Sequence, residues 1–228
     1  MSGRRGGSRH VAWCAMLTVM TATSHPAPAD STRARILEAT VAAIERGGVD
    51  SVRVLEIAAA ADVTTGAIYH HFTNRRTLVV AAQVERFTAA VPADVGAIAS
   101  LLERATSAAD IHNGLMAVAQ VAFHDDRAQN RRRRAEVVAA AGVDAALAEA
   151  ISAQQHSFIA TLQAAVESTQ HRQLFRADLD AHAIALLMMV LPFGFRLADV
   201  DDQHPIDVAK WCDVVSGVVR SLLDDPRR

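Results

Sequence analysis

Only two cysteines, Cys14 and Cys212, occur in the chain, far apart in sequence. That excludes a disulfide framework and a cysteine-rich zinc site, and it suits a reducing cytoplasm. Aromatic residues make up 4% of the chain, and few stretches read as strands. The formal net charge of -2 excludes a protein that coats nucleic acid by bulk charge, so any DNA contact has to come from a locally organised surface. No apolar run reads as long enough to span a membrane, and no membrane partner is expected. Catalytic signatures are missing as well: there is no glycine-rich phosphate loop, no nucleophile elbow, no H-E-x-x-H and no paired acid motif, so an enzyme is not expected. His112, His124 and His156 are too widely spaced for a zinc motif, and neither a metal nor a cofactor is expected.

What is abundant is alanine, within an apolar fraction of 51%. Alanine loses no side-chain entropy in a helix, so an all-α chain is expected. A length of 228 residues suits one small module plus one larger one. Charge divides the same way. Residues 31–76 hold six Arg against five acidic residues, whereas 77–228 hold 14 basic against 19 acidic residues. The N-terminal module is the one suited to phosphates. The expected division is an arm over 1–30, a helix-turn-helix DNA-binding domain over 31–77, and a helical ligand-binding and dimerisation domain over 78–228.

The arm is ambiguous. Arg4 and Arg5 precede an apolar run from Val11 to Ala22 and then Ala27-Pro28-Ala29, the outline of a secretory signal. The run is short and interrupted by Thr18 and Thr21. A disordered arm is the favoured reading, beside a start at Met16 or Met20 and beside export.

From Ser31, Ile36, Leu37, Val41 and Ile44 recur at helical spacing until Gly47-Gly48 supplies a stop. A short second helix runs from Val54 to Ala61. After Asp62-Val63, Thr64 caps a third helix over Thr65 to His71. Two short helices joined by three or four residues form the geometry that sets the second of them in the DNA major groove. Thr64, Thr65, Tyr69 and His70 carry groups that hydrogen-bond phosphates or base edges, and Gly66 permits close backbone approach.

The stretch from Ile57 through Phe72 (IAAAADVTTGAIYHHF), followed by Asn74-Arg75 and Leu78, resembles the DNA-binding domain of the tetracycline-repressor (TetR) family. The resemblance implies that Thr64 caps the recognition helix and that Thr65, Gly66 and His70 face the groove. It implies that Tyr69 and His71 lie near phosphates or pack beneath the helix, and that Arg75 meets the DNA backbone. Arg33 and Arg53 complete the expected DNA-binding set. The sequence departs from the family pattern at Asp62, where the turn glycine stands, and at Arg53, where a Ser or Thr cap is usual, so that the cap has moved to Ser51 or is absent.

Beyond Thr77 about six more helices are expected, with breaks near Pro92, Asp110, Asp125-Asp126, Gly142-Val143, Leu174 to Asp178 and Asp199 to Pro205. Ile184, Leu187, Met188, Leu191 and Phe195 fall on one helical stripe, and Trp211, Val215, Val218 and Leu222 on another. The resemblance implies that two such helices per subunit build a four-helix homodimer interface. It also implies an effector pocket among the middle helices, for which the candidates are His112, Leu115, Met116, Ala119, Phe123, His124, His156, Phe158 and Leu162, all equally compatible with an ordinary core. Arg131 to Arg134 read as a solvated helix face.

The function these readings favour is a cytoplasmic repressor, released from a palindromic DNA operator by an unidentified small-molecule effector. A ligand-independent or activating regulator uses the same parts. The arm alone supports an exported helical binding protein.

Overall fold

Local chemistry sets most of the helix ends in the computed structural model, which describes residues 28–89, 91–200 and 206–223. The expectations for residues 1–27 lie outside the described residues. Helix α1 spans Pro28–Gly47 and begins three residues before Ser31, inside the expected arm. Proline is tolerated there because its fixed φ matches the first helical turn and its missing N–H is unsatisfied in any case. Gly48 ends α1 with a φ of 74°, a left-handed backbone that glycine takes without a Cβ clash. A 3-10 turn over Val49–Ser51 leads to α2 (Val54–Ala60), α3 (Thr65–His71) and α4 (Arg75–Thr88).

These four helices enclose one core of Ile36, Leu37, Ile44, Val52, Ile57, Ile68, Phe72 and Leu78. That core runs on through Val79 and Ala82, so the boundary expected at residue 77 falls within α4. The lower half of α4 belongs to the larger domain: Phe87, with Val80 and Val84 beside it, packs on Val137, Leu147 and Ile151. One continuous helix therefore serves both cores, and no loop separates them.

The rest of the chain consists of α5 (Val91–Arg104), α6 (Ala108–Phe123), α7 (Ala128–Ala141), α8 (Ala145–His171), α9 (Ala181–Gly194) and α10 (Val208–Leu222). Ser107, Asp144, Asp180 and Asp207 cap the N-termini of α6, α8, α9 and α10 by accepting backbone N–H bonds. Helix α8 is the spine, with α5 and α9 against it, while α10 lies on α6. The only β-type pairing among the described residues is an isolated bridge between Phe175 and Leu223.

Two expectations need correction. The arginine run is not a solvated face. Only Arg132 is well exposed, in an i to i+4 ion pair with Glu136. Arg131 is buried and donates Nε and Nη2 to the two oxygens of Asp199, at 2.7 and 2.6 Å. Its Nη1 reaches the carbonyls of Ala122 and His124, and its guanidinium lies over the Phe195 ring. Arg133 turns to Glu45 at 3.0 Å, and Arg134 lies over Phe87 and Phe193. Four successive residues on a helix point in all directions, and here three of those directions hold neighbouring elements.

The second correction concerns apolar length. Ala181–Val200 spans 20 residues with a mean hydropathy of 1.8, long and apolar enough by length and composition to cross a membrane. In the fold this stretch is not one α-helix. Pro192 sits near the end of α9, and from Phe195 to Val200 the chain continues as a 3-10 helix. Ile184, Ala185, Met189 and Phe195 enter the core of the larger domain, while Leu186, Val190, Leu197 and Val200 stay outside.

Candidate nucleic-acid interface

The turn between α2 and α3 is built from bonds that span only a few residues. Val63 N–H donates to the Ala58 carbonyl at 2.9 Å and Asp62 N–H to the Ala59 carbonyl at 3.2 Å. Asp62 takes a φ of 53°, the left-handed conformation expected where this turn usually holds glycine. Arg35 on α1 then donates to the Asp62 carbonyl at 2.9 Å, tying the turn to the first helix. Because the left-handed backbone is strained for any residue with a Cβ, Asp62→Gly is expected to raise stability by about 0.5–1 kcal/mol, the larger unfolded-state entropy of glycine offsetting part of the relief. Urea denaturation checks this, and a loss of stability would show that the turn is unstrained.

Thr64 Oγ1 accepts the Ala67 N–H at 3.1 Å and so caps α3. Arg53 stands at the N-cap of α2 but makes no side-chain cap bond. Ser51 does not replace it, since its hydroxyl donates to the Ala43 and Gly48 carbonyls. Helix α3 is anchored by Ile68, 1% exposed, and by Phe72 just beyond its end, 5% exposed. Asn74 and Thr77 exchange reciprocal side-chain bonds with each other's backbone N–H, a capping box that starts α4 at once.

With that inner face occupied, α3 presents Gly66, Tyr69 and His70 outward, with Thr65 half-buried beside them. Tyr69 is 52% exposed, so it does not pack beneath the helix. His71 is half-buried and sits at the helix edge, its ring 5.3 Å from that of His70 and 6.4 Å from that of Phe72. A Cβ built on Gly66 would meet only Thr64 Oγ1, at 3.6 Å, so the fold itself does not require glycine there.

The cations expected to meet DNA are engaged within the domain. Arg75 donates Nε to the Val52 carbonyl at 2.9 Å and Nη2 to the Val49 carbonyl at 2.7 Å, clamping the loop before α2. Arg53 donates to the Asp50 carbonyl, and Arg33 lies over the Phe72 ring at 5.4 Å. Arg35 carries a contact that sequence reasoning missed, because its partner is 27 positions away and no local spacing signals the pairing.

The effector candidates do not gather into one site. Leu115, Phe123, Phe158 and Leu162 are buried in the larger core, with Met116 and Ala119 packed against it. His112 approaches it from α6, its Nε2 2.8 Å from Ser216 Oγ on α10. His124 and His156 are exposed and point away. His124 lies past the end of α6 and its Nδ1 accepts the Asp126 N–H. His156 sits two positions from Phe158, on the opposite side of α8, with its Nδ1 2.9 Å from the Ser152 carbonyl oxygen. A cleft of about 410 Å³ lies elsewhere, where α1 and α4 face α8, and is lined by Arg33, Leu37, Asn74, Thr77, Val84 and Ala150 among others.

The dimer candidates divide between the subunit's own core and its edge. Ile184, Phe195 and Val215 are buried in the subunit's own core. Trp211 meets Phe123 edge-to-face and Phe195 at a tilt, and Met188, Leu191 and Leu222 pack against the same core. Leu187 and Val218 are half-buried. The apolar side chains left outside are Leu186 and Val190 on α9 and Val214 on α10.

The family model described as bacterial regulatory proteins, tetR family, matches residues 36–82, the segment that forms the N-terminal core. That segment is a tetR-family DNA-binding domain. Solved structures agree in fold across both domains. A TetR-family regulator from Rhodococcus sp. is 22% identical, with 85% of this chain and 99% of that one covered at a TM-score of 0.64. One from Mesorhizobium loti MAFF303099 is 17% identical, with 88% and 100% covered at 0.67. GusR of Salmonella enterica is 20% identical, with 89% and 100% covered at 0.64. Comparison with curated proteins gives no match.

Proposed function

We propose that this TetR-family regulator is a homodimeric repressor that holds a palindromic operator through α3 and releases it when a small molecule binds the larger domain. The observation that carries the DNA reading is the outward face of α3. Gly66, Tyr69 and His70 project from a helix whose other side is fixed by Ile68, Phe72 and the Thr64 cap. Tyr and His present hydrogen-bonding groups suited to phosphates and base edges, and Gly66 lets the backbone come close. With Arg33, Arg53 and Arg75 bound to their own domain, their part is to shape the interface and add positive potential beside it.

Two recognition helices must sit about one DNA turn apart, or a multiple of it, to read a palindrome, which requires a second copy of the chain. Leu186, Val190 and Val214, apolar and exposed on the last two helices, support burial against that copy. Release follows if the effector binds one spacing of the two helices better than another. A regulator with these contacts acts on DNA in the cytoplasm.

Selection from a random duplex library at near-physiological salt tests the reading, with recovery of a palindrome as the expected result. The double variant Tyr69→Ala, His70→Ala is then expected to bind that sequence at least about tenfold more weakly with its oligomeric state unchanged, since each specific contact is worth about 1–3 kcal/mol. Undiminished binding would move the interface off α3.

A further inference from the structure

Arg131 and Arg134 lie one turn apart on α7, and both stack on aromatic rings, yet they differ in one respect. Arg131 finds a carboxylate and two carbonyls for its N–H groups. Arg134 has its guanidinium carbon 4.9 Å from the Phe87 ring centroid and 5.5 Å from that of Phe193. Its Nε is buried without a hydrogen-bond partner, while the residue as a whole is half-buried. Burial pushes the guanidinium's pKa down, against the pull of nearby Asp94. Asp94 does not close the gap, because its two oxygens face Arg127 at 3.2 and 3.4 Å. An N–H of a charged group that is removed from water without an acceptor is costly and rare, and a missing ion or ligand is one of the few ordinary reasons for it.

We propose that Arg134 is the anchor for a small monocarboxylate with an apolar body, the effector class of this regulator. A planar carboxylate matches the edge of a guanidinium whose faces are occupied by rings, and it supplies the acceptors that Asp199 supplies to Arg131. A single negative charge balances this one guanidinium. A dianion such as phosphate would lack a second cation, since Arg127 is taken, and would be repelled by Asp94. Phe193, half-buried beside Arg134, provides an apolar wall for the remainder of the molecule.

The site also adjoins the contact between the domains. Arg133, next to Arg134, reaches Glu45 of α1, and Arg86, next to Phe87, donates to Glu45 at 2.8 Å and Glu136 at 2.7 Å. An anion drawn in at Arg134 therefore acts on α4 and α7 where both grip the DNA-binding domain. This assignment rests on the proposal that the larger domain takes an effector.

The test is calorimetric titration of the full chain with hexanoate and benzoate, with hexan-1-ol and benzyl alcohol as uncharged counterparts and with inorganic phosphate. The expected result is saturable binding of at least one carboxylate, at least tenfold tighter than its alcohol and than phosphate. Arg134→Met is expected to abolish that preference while melting no lower than the parent, because a buried N–H without an acceptor has been removed. Arg134→Lys is expected to keep part of the preference. Binding by neither carboxylate, an unchanged preference in Arg134→Met, tighter binding of phosphate, or a marked fall in the melting temperature of Arg134→Met would each overturn the assignment. Adding the bound carboxylate to the protein on its selected DNA separates the two proposals. Binding at Arg134 that leaves DNA affinity unchanged would retain the anion site and overturn its role as effector site, while failure to select any DNA would count against the operator reading alone.

Discussion

Arg131→Ala is expected to lower the stability of the protein by about 3–5 kcal/mol, the usual cost of breaking a buried ion pair by removing one partner. The side chains of Arg131 and Asp199 are 5% and 11% exposed, so little solvent reaches the pair to screen it. Truncation leaves the Asp199 carboxylate without its bidentate donor, frees the carbonyls of Ala122 and His124, and uncovers one face of Phe195. The cost comes from what is left unpaired, so replacing both charges with apolar residues of similar volume, Arg131→Met with Asp199→Leu, should recover most of the loss. Chemical denaturation of the single and double variants makes the comparison. A single-variant loss below about 1 kcal/mol would mean that water compensates the carboxylate, as at surface pairs.

The second large effect is expected at Arg86. Its side chain is 6% exposed and bridges Glu45 of the DNA-binding domain, Glu136 of α7 and Gln83 of its own helix. Arg86→Ala should cost about 2–3 kcal/mol, below the range for an isolated buried pair. Glu45 keeps Arg133, and Glu136 is exposed enough for solvent to screen it. The variant should also change the acid limb of the stability profile. Burial pushes the Glu45 carboxyl up, but the bonds from Arg86 and Arg133 outweigh it and hold the group below its ordinary 4.5. A carboxylate lowered on folding contributes stability that is fully present above its unfolded value and is lost as pH falls through the folded one. The parent should therefore lose stability below pH 4.5 with a contribution from Glu45, and Arg86→Ala should lose less over that interval. Urea titrations at neutral and acid pH check both statements. Equal slopes in parent and variant would remove Glu45 from the account.

The features legible in the sequence are those whose cause lies within about four residues. The Thr64 cap, the left-handed Asp62, the stop at Gly48 and the carboxylate caps of the later helices each depend on a side chain meeting backbone close by, so residue type and spacing carry the information. The outward placement of Gly66, Tyr69 and His70 follows from the same short range, once Ile68 and Phe72 are known to be apolar anchors.

The features that sequence reasoning misplaced depend on partners far along the chain. The stripe of Ile184 and Phe195 announces a buried face, but periodicity says only that a face is covered, and the cover here is the subunit's own core. The arginine run looks like a solvated surface because charge usually is. Asp199, Glu45, Phe87 and Phe193 reach it from 47 to 88 positions away. Arg75 and Arg35, both cations in a DNA-binding segment, are claimed by carbonyls 23 to 27 residues distant. The sequence by itself determined most of the helices and the outward face of α3, because backbone bonds and caps are local. Tertiary structure alone decided which arginines are spent on the protein, because a long charged side chain takes its partner from whatever element the fold brings near it.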